Sequence, residues 1–232
     1  MTGNANLPSS AAALAAIVDH TLLKPDATAA ELRRWCDEAR EHRFCSVCVN
    51  PVNVAFVVEA LRGSGVKTCS VVGFPLGAAL PEIKAAETTA AVQDGADEID
   101  MVINVGALKD GRNDAVRADI AAVRAACRGK VLKVIIETCL LDDAQKRTAC
   151  QLSIEARADF VKTSTGFSTG GATVADVALM RDVVGEALGV KASGGVRNWD
   201  AAQALLAAGA TRLGASSGVA LVTGAPVTGS GY

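Results

Sequence analysis

Short runs of β-branched and aliphatic residues alternate along the chain with longer Ala-rich stretches whose apolar positions recur at helical spacing. Eight of the short runs read as strands: 17–22, 45–49, Lys67–Val72, Glu98–Val102, 131–137, 159–163, Gly189–Ser193 and 211–215. Each is followed by residues that turn the chain or cap a helix. Thr28, with Glu31 three residues on, forms a capping box and predicts a helix running to about His42. Further helices are predicted to begin at Pro51, Pro81 and Thr173, since proline in the first helical turn forfeits only an amide that had no partner.

The alternation of strand and helix implies βα units around a parallel sheet, with no linker interrupting the series. Lys133, Lys162 and Lys191 lie 29 residues apart in succession, and eight units of that length fill the 232 residues of the chain. Neither a Walker loop nor a GxGxxG fingerprint is present to favour an open, doubly wound sheet. The expectation is a single (β/α)8 TIM-barrel catalytic domain over 1–232, in the α/β class. An extra N-terminal helix is expected near 10–16, a short last helix after Ser217, and flexible termini at 1–8 and 225–232.

Composition narrows the function classes. Half the residues are apolar and 21% are charged, which describes a folded domain rather than a disordered one. No apolar run approaches the 18 residues of a membrane helix, and the stretch 11–18 follows a segment without Lys or Arg, so neither a span nor a secretory signal is expected. A net charge of −2 and eight aromatic residues supply no global field or stacking platform for nucleic acid. Seven cysteines, an odd number, predict free thiols and a cytoplasmic setting. Cys45 and Cys48 form a lone CxxC in a strand-like context, read as buried apolar residues. With only His20 and His42 in the chain, a metal-dependent mechanism built on several imidazoles is not expected.

The chemistry is carried by charge in apolar runs. Lys133 lies in VLKVIIET, Lys162 in DFVKTSTG, Lys191 in GVKASGG and Asp100 in DEIDMVINVG. Both faces of a parallel strand are covered, so an outward-snorkelling lysine would press its charge against a helix. If all four side chains face the lumen, three ammoniums surround one carboxylate, and crowding is expected to lower the lysine pKa values. A structural ion pair is the plainer alternative. A neutral amine is what attacks a carbonyl, and two close lysines with a carboxylate suit imine chemistry. SGGVR (193–197) and LGASSG (213–218) end the last two strands, where such barrels often hold a phosphate.

These segments, with DHTLLKPDAT (19–28), VCVNP (47–51), VVGFPLGA (71–78) and GADEIDMVINVGALKDG (95–111), resemble the 2-deoxyribose-5-phosphate aldolases, the class I family. The resemblance implies a lysine Schiff base on Lys162, Asp100 as proton donor and acceptor, and Lys191 as second lysine. It implies supporting roles for Lys133 and for the C-terminal Tyr232. Gly194, Gly195, Ser216 and Ser217 match the phosphate loops. Some relatives carry a lysine at the position of Phe167, so amides, hydroxyls and Arg197 are left to hold the anion here. Also implied are a reaction without metal or organic cofactor, a small sugar phosphate and aldehyde as partners, a role in deoxyribose phosphate catabolism, and a homo-oligomer, dimer or tetramer. Two rivals stay open at this point: another lysine-dependent aldolase or transaldolase, and a sugar-phosphate-binding barrel without turnover.

Overall fold

A computed structural model describes residues 7–225. Its strands are β1 (Val18–Leu22), β2 (Ser46–Val49), β3 (Lys67–Val72), β4 (Glu98–Val102), β5 (Val131–Ile135), β6 (Phe160–Lys162), β7 (Gly189–Ser193) and β8 (Arg212–Ala215). All pair in parallel and in chain order, and β8 returns to β1 through Val18↔Leu213 to close the barrel. The predicted (β/α)8 TIM barrel is the observed fold. Strands are buried along almost their whole length, since the lumen takes one face and the helix layer the other. That double burial is why they read as near-continuous apolar runs.

Ten α-helices are described: α1 (Ala11–Ala15), α2 (Ala29–His42), α3 (Val54–Leu61), α4 (Pro81–Gln93), α5 (Val105–Lys109), α6 (Asn113–Ala126), α7 (Asp143–Glu155), α8 (Val174–Val184), α9 (Trp199–Ala207) and α10 (Gly218–Thr223). The early helix α1 lies where the sequence placed it. The capping box at α2 forms in full, Thr28 Oγ1 accepting from the Glu31 amide while the Glu31 carboxylate accepts from Thr28 N. Pro51 opens a 3₁₀ turn, Pro51–Asn53, before α3 begins. Helix α5 was not foreseen, because a glycine and a short span conceal its period; Asn104 caps it by accepting from the Ala107 amide.

One buried ion pair ties the helix layer to the barrel. Lys84 on α4 donates to Asp119 of α6 at 2.6 Å and to the Val102 carbonyl at 2.8 Å, the residue that ends β4. Both side chains are buried. Removing one partner of such a pair strands a charge and costs about 3–5 kcal/mol. Lys84→Met is therefore expected to lower the urea midpoint accordingly, and a midpoint within error of the parent would show that the pair carries no stability.

Candidate active site

Register decides which side chains meet. Asp100 on β4 is level with Lys133 on β5, and Lys162 on β6 is level with Lys191 on β7 but paired with Ile135, two residues beyond Lys133. The three lysines, equivalent by their 29-residue spacing, thus occupy two heights, with Lys162 ending its strand at the C-terminal rim. All converge on Asp100: Lys133 reaches Oδ1 at 2.8 Å, while Lys162 and Lys191 reach Oδ2 at 2.8 and 2.7 Å.

Sequence reasoning missed two further carboxylates in the same lumen. Asp19 on β1 lies 2.5 Å from Lys191 and 3.7 Å from Lys133. Glu98, two residues before Asp100 and so on the same strand face, lies 2.5 Å from Lys133. Arg212 on β8 closes the network by bridging Asp19 at 2.7 Å and Glu98 at 3.3 Å. Four cations therefore meet three carboxylates, where the sequence suggested three against one. The available signal was the period of two in DEID and an acid inside the apolar run around 17–22.

The added carboxylates reverse the expected titration. Burial alone would push the Lys191 ammonium down, but Asp100 and Asp19 outweigh it and hold its pKa above the usual lysine range. Burial also opposes the charged form of Lys133, and Asp100, with Cys69, Asp19 and Glu98, overcomes it, raising that pKa strongly. Burial would push the Asp100 carboxyl up, yet Lys133, Lys162 and Lys191 keep it well below the ordinary carboxylate range. Asp19 is lowered likewise, by Lys191, Lys133 and Arg212 acting against its burial. Crowding by like charges, as read from the sequence, is outweighed at Lys133 and Lys191.

These shifts set a pH window for stability. The contribution of Asp19 and Asp100 is full above about pH 4, their unfolded value, and is lost as pH falls through the lowered folded values. That of Lys133 and Lys191 is full below about pH 10 and is lost as pH rises through the raised folded values. The urea midpoint is expected to hold across neutral pH and to fall toward both extremes. A midpoint that climbs on acidification below about pH 4 would contradict this network.

Around the rim, the predicted phosphate loops are neighbours, because Ser193 of β7 is level with Gly214 of β8. Gly194 and Gly195 follow with φ of 81° and 82°, a left-handed pair that glycine adopts without strain. The Ala172 amide donates to the Gly194 carbonyl at 3.0 Å, docking the segment after β6 onto this turn. Ser216 and Ser217 are half-buried in the turn entering α10. Arg197 is exposed, and Phe167 packs edge-on against Phe74. Tyr232 lies outside the described residues. Glu137, read from the sequence as strand, leaves the strand at φ 54° and accepts from the Thr165 amide and hydroxyl. It fixes the turn that follows Lys162.

A closed parallel barrel with ionisable groups crowded on Asp100 and glycine-rich loops at its C-terminal rim defines the architecture of a (β/α)8 enzyme, whose chemistry sits at the strand C-termini. Comparison with known proteins makes this specific. Residues 13–224 match the model of the DeoC/LacD family aldolases. The chain is 62% identical over 215 residues to a deoxyribose-phosphate aldolase of Brevibacillus brevis, covering 93% of this chain and 97% of that one. It is 61% identical over 213 residues to one of Streptococcus gordonii, covering 92% and 97%. The solved tetrameric deoxyribose phosphate aldolase of Aeropyrum pernix superposes with a TM-score of 0.85 at 35% identity, covering 92% of this chain and 91% of that one. The chain belongs to the DeoC/LacD aldolase family and is a carbon–carbon lyase.

Proposed function

We propose that the chain reversibly cleaves 2-deoxy-D-ribose 5-phosphate to acetaldehyde and D-glyceraldehyde 3-phosphate through an imine on Lys162. Support for the substrate comes from the relatives just described. Support for the nucleophile comes from one observation. Among the described residues Lys133 has three carboxylate neighbours and Lys191 two, whereas Lys162 is paired with Asp100 alone. Fewer ion pairs therefore hold the Lys162 side chain in place than hold either of the other two. Lys162 also ends its strand, whereas Lys191, at the same height, is followed by two more strand residues.

In this reading neutral Lys162 attacks the C1 aldehyde of the open-chain sugar. Water leaves and a protonated imine remains, which is the electron sink for the next step. Loss of the C3 hydroxyl proton breaks the C2–C3 bond and releases glyceraldehyde 3-phosphate. The enamine left on Lys162 is protonated at C2, and the resulting iminium takes up one water, equal to the one released at its formation, to give acetaldehyde, a proton and the free amine. The iminium does the work of an electrophile, so the sequence of steps calls for no metal or organic cofactor.

Asp100 is the proton relay. While three ammoniums surround it, it is a poor base; when Lys162 becomes a neutral carbinolamine, one of them is gone and the carboxylate gains basicity at the step that needs it. Lys191, held charged by Asp100 and Asp19, acts as a fixed donor, and Lys133 supports Asp100 from below. Gly194, Gly195, Ser216 and Ser217 receive the phosphate, whose distant binding energy fixes C1 near Lys162. This reaction supports a role in catabolism of deoxyribose phosphates.

Incubation with 2-deoxyribose 5-phosphate and borohydride, followed by peptide mass analysis, tests this directly. An adduct on Lys162 is expected; one on Lys133 or Lys191 would reassign the nucleophile, and none would favour a binding protein. Among the described residues no helix is long and apolar enough to cross a membrane. Val52, Leu76, Leu80 and Ile83 are exposed apolar side chains around the starts of α3 and α4, which favours a homo-oligomer. Sedimentation is expected to give a dimer or tetramer, and a monomer at micromolar concentration would overturn this.

A further inference from the structure

Beneath the lysines the barrel carries a pair of thiols that the aldol chemistry does not use. Cys48 on β2 and Cys69 on β3 are level with each other on neighbouring strands, and both are buried. Cys69 Sγ donates to Asp100 Oδ1 at 3.3 Å and accepts from Lys133 Nζ at 3.5 Å. One ligand atom from each of Cys48, Cys69 and Asp100 lies within 4.8 Å of the others. The CxxC of the sequence is not this pair: Cys45 is half-buried just outside β2, and the partner of Cys48 comes from the next strand.

We infer that Cys48, Cys69 and Asp100 form an inhibitory site for a thiophilic divalent cation of the zinc and cadmium type. Two sulfurs and one carboxylate oxygen are the donor set that a tetrahedral d¹⁰ ion takes, with metal–sulfur bonds of about 2.3 Å and one position left open. Magnesium and calcium, which require oxygen shells, are excluded by the same donors. The charge balance also permits it. Two neutral thiols and one carboxylate carry −1; a dication with two thiolates and one carboxylate carries −1 again, and two protons leave to solvent. Lys133, Lys162 and Lys191 therefore face the same net charge before and after binding.

The ion takes Asp100 Oδ1, the atom that now accepts from Lys133, and draws the carboxylate toward β2 and β3, away from Lys162. Loss of turnover follows, and this consequence rests on the role given to Asp100 above; the binding itself does not.

The test is cadmium titration of the full chain carrying Cys139→Ser, because Cys139 is the exposed thiol among the described residues. Bound metal after gel filtration, the ultraviolet cadmium–thiolate absorption and turnover are read together. One tightly held equivalent is expected, with the absorption of two thiolates and a loss of turnover that EDTA alone reverses. Adding Cys48→Ser or Cys69→Ser is expected to weaken binding by at least about tenfold and to halve the absorption. Turnover is scored against the metal-free rate of each variant. If a serine variant does not fold, the cadmium-113 shift of the Cys139→Ser protein still counts the thiolate ligands. No tight equivalent, or binding unchanged in both serine variants, overturns the site. Binding with full turnover overturns the inhibition. Recovery that requires a thiol reductant rather than EDTA assigns the effect to oxidation and overturns the metal.

Discussion

Lys162→Ala is expected to lower turnover of 2-deoxyribose 5-phosphate by on the order of 10⁴-fold or more and to abolish the borohydride adduct. The size follows from removing the amine to which the proposed mechanism bonds the substrate. No neighbour substitutes: Lys191 and Lys133 are held protonated by Asp100, Asp19 and Glu98, with pKa values above the usual lysine range. The fold is expected to survive, because Asp100 Oδ2 keeps its bond from Lys191 at 2.7 Å. The variant also brings four cations and three carboxylates to an even balance. Circular dichroism and a urea midpoint at or above the parent value separate loss of chemistry from loss of structure. A folded variant that still turns over near the parent rate, or still traps substrate at another lysine, would falsify the assignment of Lys162.

Much of the architecture was legible in the chain, for a physical reason. A parallel strand covered on both faces has no polar side to show, so β1 to β8 stand out as apolar runs, and a lysine or aspartate within one is conspicuous. Asp100, Lys133, Lys162 and Lys191 were found in that way. Asp19 and Glu98 were not, because what makes them partners is closure: Arg212 reaches both only once β8 lies beside β1. Register is equally hidden. The 29-residue spacing made the three lysines look alike, whereas the pairing of Lys133 with Asp100 and of Lys162 with Lys191 sets them at different depths. Lys162 is left with one carboxylate among the described residues because Asp19 lies against Lys191 and Glu98 against Lys133. Glu137 escaped because its left-handed backbone breaks a run that reads as strand through 131–137. The Cys48–Cys69 pair escaped because cross-strand neighbours carry no fixed spacing.

Asp100 makes the sharper test, since structure and chemistry meet on one side chain. From sequence alone, Asp100→Leu and Lys191→Leu are expected to lower turnover and leave the fold intact; the geometry changes the first expectation. Asp100 accepts from Lys133, Lys162 and Lys191 in a buried lumen, so leucine there strands ammoniums that have lost a partner. A loss of about 3–5 kcal/mol in unfolding free energy is expected. Asp100→Asn keeps the shape and one acceptor oxygen and is the variant in which to read chemistry. Its turnover is expected to fall by about 10²–10⁴-fold, the range that a positioned acid–base group supplies. The borohydride adduct on Lys162 is expected to persist, because the amine that forms it is untouched by the substitution. Retained trapping with lost turnover separates the proton relay from the nucleophile. A folded Asp100→Asn protein that neither traps nor turns over would instead make Asp100 essential to imine formation, and one that turns over normally would remove it from the reaction.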